Sequence, residues 1–284
     1  MKKIGFFGLG LMGGNIVENL LNKEYQILTN RRGRALQIQN RYENLEVFDD
    51  DSYIAENCDL LASCVDTVQN LERLIYGDNG ILAAKSLPKY FFDFGTGRPS
   101  FSEKIHTDLQ MKGCTYVDMP IGRTPDHALK GKINLFISSS EKKLDDFTRI
   151  LDDIAENKIY LGELGQGTKI KLFNNFYGQA ITLIFGQILR QGHKQNLNTK
   201  NLLTVMSLGP LHSGMLEAIF SHYDADSNGS IEFTISNAYK DLVYFKEEFG
   251  DQNPIVDLVL SSFEKAIAGG FGELSVGEVA KYVG

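Results

Sequence analysis

The first half of the chain alternates between short apolar runs and amphipathic segments. The apolar runs are typical of buried strands, and they read KIGFFG, YQILTN, LLASCV, YFFDFG, TYVDMP and INLFISS. Segments with helical spacing lie between most of them, such as GGNIVENLLNK and SFSEKIHTDLQMKG. This alternation predicts βαβ units, and hence a mainly parallel, doubly wound sheet with helices on both faces.

After about residue 162 the strand signals stop and helical periodicity takes over. The stretch from Gly165 to Leu197 contains no proline, which predicts one helix of roughly 30 residues. Further helices are predicted at 200–222, 232–249, 253–269 and 275–282. We therefore expect an α/β domain over 1–162 and an all-helical domain over 163–284, joined by a long interdomain helix at about 165–195.

Composition narrows the classes of partner. The chain of 284 residues carries a net charge of −7, which argues against nucleic acid or an anionic membrane surface as a partner. It has no apolar run long enough for a transmembrane helix, and the signal-like MKKIGFFGLG lacks a cleavage site. The scattered Cys58, Cys64 and Cys114 fit buried thiols in a reducing compartment, so we expect a cytoplasmic protein.

The segment GLGLMG follows the first predicted strand and opens a helix, which is the context of a dinucleotide-binding turn. Gly8 would allow the tight turn, Gly10 the approach of a pyrophosphate and Gly13 close packing of helix and strand. The same loop contains Leu9, Leu11 and Met12. The pattern predicts a Rossmann-type nucleotide site, and the alternative is a merely flexible glycine-rich turn.

The second predicted strand ends in Asn30, Arg31 and Arg32, where NAD-binding domains carry a carboxylate for the ribose 2′-hydroxyl. A carboxylate would repel a 2′-phosphate, whereas guanidinium groups bind it. The sequence therefore favours NADPH, with NADH still possible. The alternative is that the arginines form a solvated loop face.

Within the predicted long helix, Lys171, Asn174, Asn175 and Gly178 fall on one stripe. A partly buried lysine on a helix that bridges two domains can pass a proton near neutral pH. The alternative is an ordinary polar stripe facing water, although adjacent asparagines are poor helix formers. We interpret the stripe as a candidate catalytic face.

A further candidate site lies in the segment DMPIGRTPDHALKGK. Three of its residues suit the ends of a short helix: Thr124, Pro125 and Gly131. A helix N-terminus with Arg123 beside it would attract an anion, and the guanidinium can bind two oxygens at once. The alternative is that Arg123 pairs with Asp118 or Asp126 and only holds the loop.

The segment DADSNGSIEF, Asp224 to Phe233, imitates a calcium-binding loop. Its twelfth position, which needs a bidentate glutamate, is Ile235. We interpret the segment as a polar turn before the next helix and predict no metal site.

Together these motifs resemble those of the β-hydroxyacid dehydrogenase family, over nearly the whole chain. The motifs that carry the resemblance are GLGLMG, NRR, FDFGTGRP, GQGTKIKLFNN and YKDL. The resemblance implies that Thr96 lies by the nicotinamide, that Lys240 reaches the cofactor and that the loop of Val65 and Asp66 contacts it. The family usually has proline at the position of Asp66.

In this family, Lys171 would donate the proton to the substrate oxygen, Asn175 would orient it and Asn174 would help to bind substrate. Hydride transfer from NADPH to a short anionic aldehyde is the implied reaction. Where most members read DAPVSGG, this chain places Gly122, Arg123 and Thr124, which is similar to the sulfolactaldehyde reductase branch.

Three alternatives stay open. One is a 3-hydroxyisobutyrate dehydrogenase, another a succinic or tartronate semialdehyde reductase, and the least favoured is a non-catalytic NADP-binding protein. The resemblance also implies a homodimer or homotetramer.

Overall fold

A computed structural model describes residues 2–139, 144, 147–223, 231–250 and 252–283. Within it the chain divides into two compact units, Met1–Lys171 and Leu172–Gly284. Most of the calcium-like segment, residues 224–230, lies outside the described residues.

The first unit is built on a six-stranded parallel sheet, which confirms the predicted fold class. Its strands in chain order are β1 (Lys3–Phe7), β2 (Gln26–Asn30), β3 (Leu45–Phe48), β4 (Leu60–Ser63), β5 (Tyr90–Asp93) and β6 (Thr115–Asp118). Their order in the sheet is β3-β2-β1-β4-β5-β6. The order therefore reverses at β1, and a crevice at the carboxyl ends of β1 and β4 is the usual ligand position in such sheets.

Helices cover both faces of this sheet because alternate residues of each strand point to opposite sides. In β1, Phe6 packs into one buried apolar cluster with Ile16, and Phe7 packs into another with Ile75. The helices that contribute are α1 (Leu11–Asn22), α2 (Ala35–Gln39), α3 (Asp51–Glu56), α4 (Val68–Tyr76) and α5 (Pro99–Gln110), with a 3₁₀ turn at Ile81–Ala83.

A small second sheet completes the first unit. It consists of β7 (Ile121–Gly122), β8 (Ile133–Ile137) and β9 (Ala155–Tyr160), in the order β7-β8-β9. The strand β7 runs antiparallel to β8, and β9 runs parallel to it. Two short helices connect these strands, α6 (Pro125–Leu129) and α7 (Thr148–Ile154).

The predicted long helix is confirmed as α8 (Gln166–Lys194), which spans 29 residues and continues from the first unit into the second. The second unit also contains α9 (Thr199–Ser207), α10 (Gly214–Ser221), α11 (Ile235–Phe249), α12 (Pro254–Ala268) and a 3₁₀ segment (Val276–Lys281). In the described part of the chain, no helix has both the length and the apolar character needed to cross a membrane.

Two predicted helices differ from the observed ones. The helix expected over 200–222 is split into α9 and α10, because the intervening stretch contains Gly209 and Pro210, and proline cannot continue a helix. The helix expected over 275–282 is wound more tightly as a 3₁₀ segment.

Candidate active site

The turn between β1 and α1 shows why it needs glycine. Gly8 has a positive φ of 87°, and a Cβ there would lie 2.5 Å from the carbonyl oxygen of Cys64. A Cβ on Gly13 would lie 2.1 Å from the carbonyl oxygen of Gly8. Around Gly10, in contrast, nothing lies within 4 Å of such an atom. Packing within the protein therefore explains two of the glycines, while the third borders open space.

That open space lies at the start of α1, whose N-cap residue is Gly10. No side chain of the described residues caps this helix end by a hydrogen bond. The first amide N–H groups of a helix have no partner inside the helix, and they are commonly satisfied by a phosphate. The turn and helix end therefore fit the pyrophosphate of a dinucleotide.

The loop after β2 holds its two predicted arginines differently. Both arginines are exposed, but Arg31 Nε donates to Asp49 Oδ1 at 3.0 Å and is thereby held by a neighbouring carboxylate. Asn30 is buried and donates from Nδ2 to Asp51 Oδ1 at 2.8 Å. Burial raises the pKa of Asp51, and the Asn30 hydrogen bond and the charge of Arg32 oppose that shift. Arg32 is thus the better placed of the two to meet a ligand from solvent.

Arg34, two residues further along this loop, was not predicted from the sequence as a site residue. Its Nη2 donates to Asn15 Oδ1 at 2.7 Å and to the Leu11 carbonyl oxygen at 3.4 Å. A Cβ on Gly14 would collide with this guanidinium, so the arginine lies directly on the first turns of α1. The signal was present in NRRGR, but the spacing alone did not separate its third arginine from the first two.

At the carboxyl ends of β4 and β5 lies a small pocket that is open to solvent. It is lined by Val65, Thr67, Val68, Leu71, Asp93, Gly95, Thr96 and Gly97, so Val65 and Thr96 come together as part of one surface. Asp66 follows Val65 on an exposed edge and accepts a hydrogen bond from Asn70 Nδ2 at 2.6 Å.

The floor of this pocket is a buried carboxylate that the sequence analysis did not single out. Asp93 accepts hydrogen bonds from Ser63 Oγ at 2.7 Å, from Tyr116 Oη at 2.6 Å and from the Gly95 amide at 3.1 Å. These bonds join the carboxyl ends of β4 and β5 to the side chain of a β6 residue and to the loop that carries Thr96. Asp93 therefore fixes the shape of the pocket.

In the loop before α6, Arg123 has a positive φ of 79°, an uncommon conformation for a residue other than glycine. Its Nη1 donates to the Lys132 carbonyl oxygen at 2.8 Å and forms an ion pair with Glu156. The side chain of Arg123 is 28% exposed. The pairings that we weighed from the sequence, with Asp118 or Asp126, are wrong, since Asp126 pairs with Lys130 at 2.7 Å and Asp118 binds elsewhere.

The short helix α6 follows as predicted, with Thr124 as N-cap and Pro125 at its first turn. The Thr124 hydroxyl, however, meets His127 Nδ1 at 2.7 Å and does not cap a backbone amide. With five residues, α6 is too short for its dipole to carry an anion site. Of the two features that we predicted to attract an anion here, the helix N-terminus and Arg123, the charge of Arg123 therefore remains.

Asp118 anchors the start of α8. It is 1% exposed and accepts hydrogen bonds from the Thr168 amide at 2.9 Å, the Thr168 hydroxyl at 2.5 Å and Ser138 Oγ at 2.8 Å. Ser138 Oγ in turn accepts a hydrogen bond from the Gly167 amide at 3.0 Å. Burial raises the pKa of Asp118 to about 6 despite these donors, and the charge of Asp93 adds to the rise. Lys171 lies three residues after Thr168 on the helix thus held.

Further along α8, Asn175 donates from Nδ2 to Asp241 Oδ2 at 2.7 Å. Asp241 belongs to α11, is 3% exposed and also pairs through Oδ1 with Lys240 Nζ at 3.2 Å. Asn174 points to an exposed face. The structure therefore brings Asn175 and Lys240 together through Asp241, a contact that the sequence motif YKDL did not reveal.

Comparisons with known proteins agree with this geometry. The family described as the NAD binding domain of 6-phosphogluconate dehydrogenase matches residues 3–162. The cytokine-like nuclear factor N-PAC of Anopheles gambiae is 25% identical over 214 residues, which cover 75% of this chain but only 38% of that longer protein. The 3-sulfolactaldehyde reductase of Escherichia coli (strain K12) is 24% identical over 242 residues, covering 85% of this chain and 81% of the enzyme.

Among solved structures, the 3-hydroxyisobutyrate dehydrogenase of Mycobacterium tuberculosis with L-serine superposes with a TM-score of 0.86. Its identity is 18%, and the match covers 99% of this chain and 98% of that one. The family match, together with relatives that are named as reductases, identifies the chain as an NAD(P)-dependent oxidoreductase. The chain belongs to the family of the 6-phosphogluconate dehydrogenase NAD binding domain, and within it to the β-hydroxyacid dehydrogenase type.

Proposed function

We propose that the protein is an NADPH-dependent reductase of a short anionic aldehyde, similar to 3-sulfolactaldehyde, which it converts to the corresponding hydroxy acid. The observation that carries this proposal is the arrangement on α8. Lys171 and Asn175 are one helical turn apart, and the Asn175 amide is held by the buried Asp241. A held amide beside a primary amine suits the task of binding and protonating a carbonyl oxygen.

Each participant in the proposed reaction has a separate role. When bound, the nicotinamide cofactor supplies the hydride. Lys171 hydrogen-bonds the carbonyl oxygen and donates its proton as negative charge develops there, and Asn175 orients the same oxygen. In the direction of oxidation, neutral Lys171 accepts the proton from the hydroxyl group.

The cofactor would be held by the first unit's glycine turn, Gly8 to Gly13, with the open space at Gly10 admitting the pyrophosphate. Arg32, with Arg31 and Asn30 beside it, would meet the 2′-phosphate and favour NADPH over NADH. Val65, Asp66, Thr96 and Lys240 complete the proposed cofactor contacts.

The anionic tail of the substrate would bind to Arg123, with help from Gly122, Thr124 and Asn174. A planar guanidinium can bind two oxygens of a sulfonate or of a carboxylate. Similarity to a 3-sulfolactaldehyde reductase supports the sulfonate. A 3-hydroxyisobutyrate dehydrogenase or a succinic or tartronate semialdehyde reductase is the alternative. By analogy with the family, we also propose that the protein is cytoplasmic and that it forms a homodimer or a homotetramer.

The first test compares two aldehyde substrates, one with a sulfonate tail and one with a carboxylate tail. NADPH consumption is followed with 3-sulfolactaldehyde and with succinic semialdehyde in parallel, and each assay is repeated with NADH. We expect kcat/KM to be at least about tenfold higher for the sulfonate, a difference of roughly 1.4 kcal/mol in transition-state binding. A preference for succinic semialdehyde would keep the reductase chemistry and assign the tail to the carboxylate class.

The second test addresses Lys171. We expect Lys171→Met to lower kcat by about 10²- to 10⁴-fold with NADPH affinity unchanged, because it removes a proton donor and leaves the cofactor turn intact. Lys169→Met, two residues earlier on the same helix, is the matched control and should keep its activity. Tight NADPH binding by the wild type without turnover of any aldehyde would instead favour a non-catalytic NADP-binding protein.

A further inference from the structure

Glu156 reaches Arg123 because of an irregularity in the small sheet. Between β8 and β9, Ile133 pairs with Ala155 and the next residue, Asn134, pairs with Asn157. Glu156 is thus the extra residue of a β-bulge. A bulge redirects a side chain away from the regular alternation, and bulges are frequent beside functional sites.

Arg123 is also held in an irregular conformation, with a φ of 79°. Such a conformation costs about 1 kcal/mol or more for a residue with a side chain, and it persists where the surroundings enforce it. Two local departures from regular backbone, at Arg123 and at Glu156, therefore meet in one ion pair.

The contacts of the guanidinium lie on one side. Within the described part of the chain, both the Lys132 carbonyl oxygen and the Glu156 carboxylate bind Nη1. The edge formed by Nε and Nη2 is the edge that binds two oxygens of an anion in parallel. Holding Nη1 leaves this edge able to receive a ligand.

The charges around Glu156 keep the pair intact at neutral pH. Its hydrogen bond with Arg123 and the charge of Arg123 lower the pKa of Glu156, and the charges of Lys132 and His127 lower it further. The Glu156 carboxylate thus faces the charges of both Arg123 and Lys132, so the loop retains positive charge for an incoming anion.

We propose that Glu156 is a positioning residue, which holds Arg123 by one nitrogen and presents its Nε–Nη2 edge to the anionic tail of the substrate. This inference rests on the proposed function, in which Arg123 binds that tail. The side chain of Glu156 is 46% exposed, so its replacement should leave the fold intact.

The test compares Glu156→Ala, Glu156→Gln and the control Asp126→Asn. Glutamine keeps an acceptor oxygen for Nη1, alanine removes it, and Asp126 is an exposed carboxylate of the same loop whose partner is Lys130. For 3-sulfolactaldehyde we expect E156A to raise KM about tenfold with kcat and the KM of NADPH unchanged, since uniform binding is lost. E156Q and D126N should stay close to the wild type. Glyceraldehyde, which has no anionic tail, should show the same KM with all four proteins.

A binding measurement separates this inference from the proposed reaction. Propane-1-sulfonate is titrated calorimetrically into each protein in the presence of NADP⁺, and E156A should bind it about tenfold more weakly than the wild type and E156Q. Unchanged or tighter binding by E156A, equal weakness of E156Q and E156A, or no binding by the wild type would each overturn the positioning role. If binding follows the expected order but no aldehyde is reduced, the proposed reaction fails and the role of Glu156 stands.

Discussion

At the scale of single residues, Gly8 and Gly10 lie in the same turn but would respond differently to a methyl group. We expect Gly10→Ala to leave the stability of the cofactor-free protein unchanged, because the added carbon meets no atom within 4 Å. It should weaken NADPH binding about tenfold or more, because the methyl group enters the space proposed for the pyrophosphate. Fluorescence titration with NADPH and urea unfolding of the free protein measure the two quantities.

Gly8→Ala is the matched comparison. Its Cβ would lie 2.5 Å from the Cys64 carbonyl oxygen at a φ of 87°, so the free energy of unfolding should fall by about 1–3 kcal/mol. If Gly10→Ala bound NADPH as tightly as the wild type, the pyrophosphate would have to lie elsewhere.

The contacts of Arg123, in the loop before α6, were only partly predictable from the sequence. The sequence placed Arg123 before a short helix, and the helix is present. Its ion-pair partner was missed, because Glu156 is more than thirty residues away and is brought near by a β-bulge that no local pattern encodes. The same applies to Asp241 and Asn175, which are joined by the packing of two helices.

At the scale of elements, every apolar run that was predicted as a strand forms one. The strands β3, β7 and β9 were missed for identifiable reasons. β7 has two residues, too few for a period, and β9 is an edge strand whose side chains are largely exposed. β3 is short and lies at the edge of the six-stranded sheet, where a strand needs fewer apolar residues than in the centre.

The start of α8 makes a prediction on pH. The pKa of Asp118 is about 6 in the folded chain and 3.8 in its ordinary state, so the folded protein binds the proton more tightly. Its contribution to stability is therefore full below about pH 4 and is lost as the pH rises to about 6. The loss amounts to roughly 3 kcal/mol, at 1.36 kcal/mol for each unit of pKa difference.

Urea unfolding of the wild type and of Asp118→Asn between about pH 4 and pH 7 tests this sign, since other titrating groups cancel in the difference. The advantage of the wild type over D118N should shrink as the pH rises and then become constant. The exposed Asp126→Asn should show a nearly constant difference across the same range, because the pKa of Asp126 is lowered from 3.8 and its titration therefore lies mostly below pH 4. An advantage over D118N that grew with pH would show that the donors at Thr168 and Ser138 outweigh burial.

At the scale of the whole molecule, the net charge of −7 hides local basic groups that suit anionic small molecules. The loop after β2 carries three arginines, of which Arg31 is paired with Asp49 and Arg34 with Asn15 on α1. Arg31 and Arg32 are both exposed, and Arg31 is the one whose guanidinium is paired. The overall acidity therefore does not oppose a phosphate at this loop, because exposed charges more than about 10 Å away are largely screened at moderate salt.

The thermal stability of the protein in the presence of each cofactor should depend on the charge of Arg32. A ligand that binds only the folded state at 100 times its Kd stabilises the protein by about 2.7 kcal/mol. At equal concentration NADPH should therefore raise the midpoint of thermal unfolding more than NADH, since only NADPH carries a 2′-phosphate that Arg32 could bind. Arg32→Ala should remove most of this difference without changing the effect of NADH. Arg149→Ala, which removes the same charge from a side chain that is 90% exposed, should preserve the difference between the two cofactors.

Added salt should narrow the difference between NADPH and NADH in the thermal stability of the wild type. Equal stabilisation by the two cofactors would contradict a 2′-phosphate site at Arg32 and would make Asn30, with its bond to Asp51, the residue that meets the ribose.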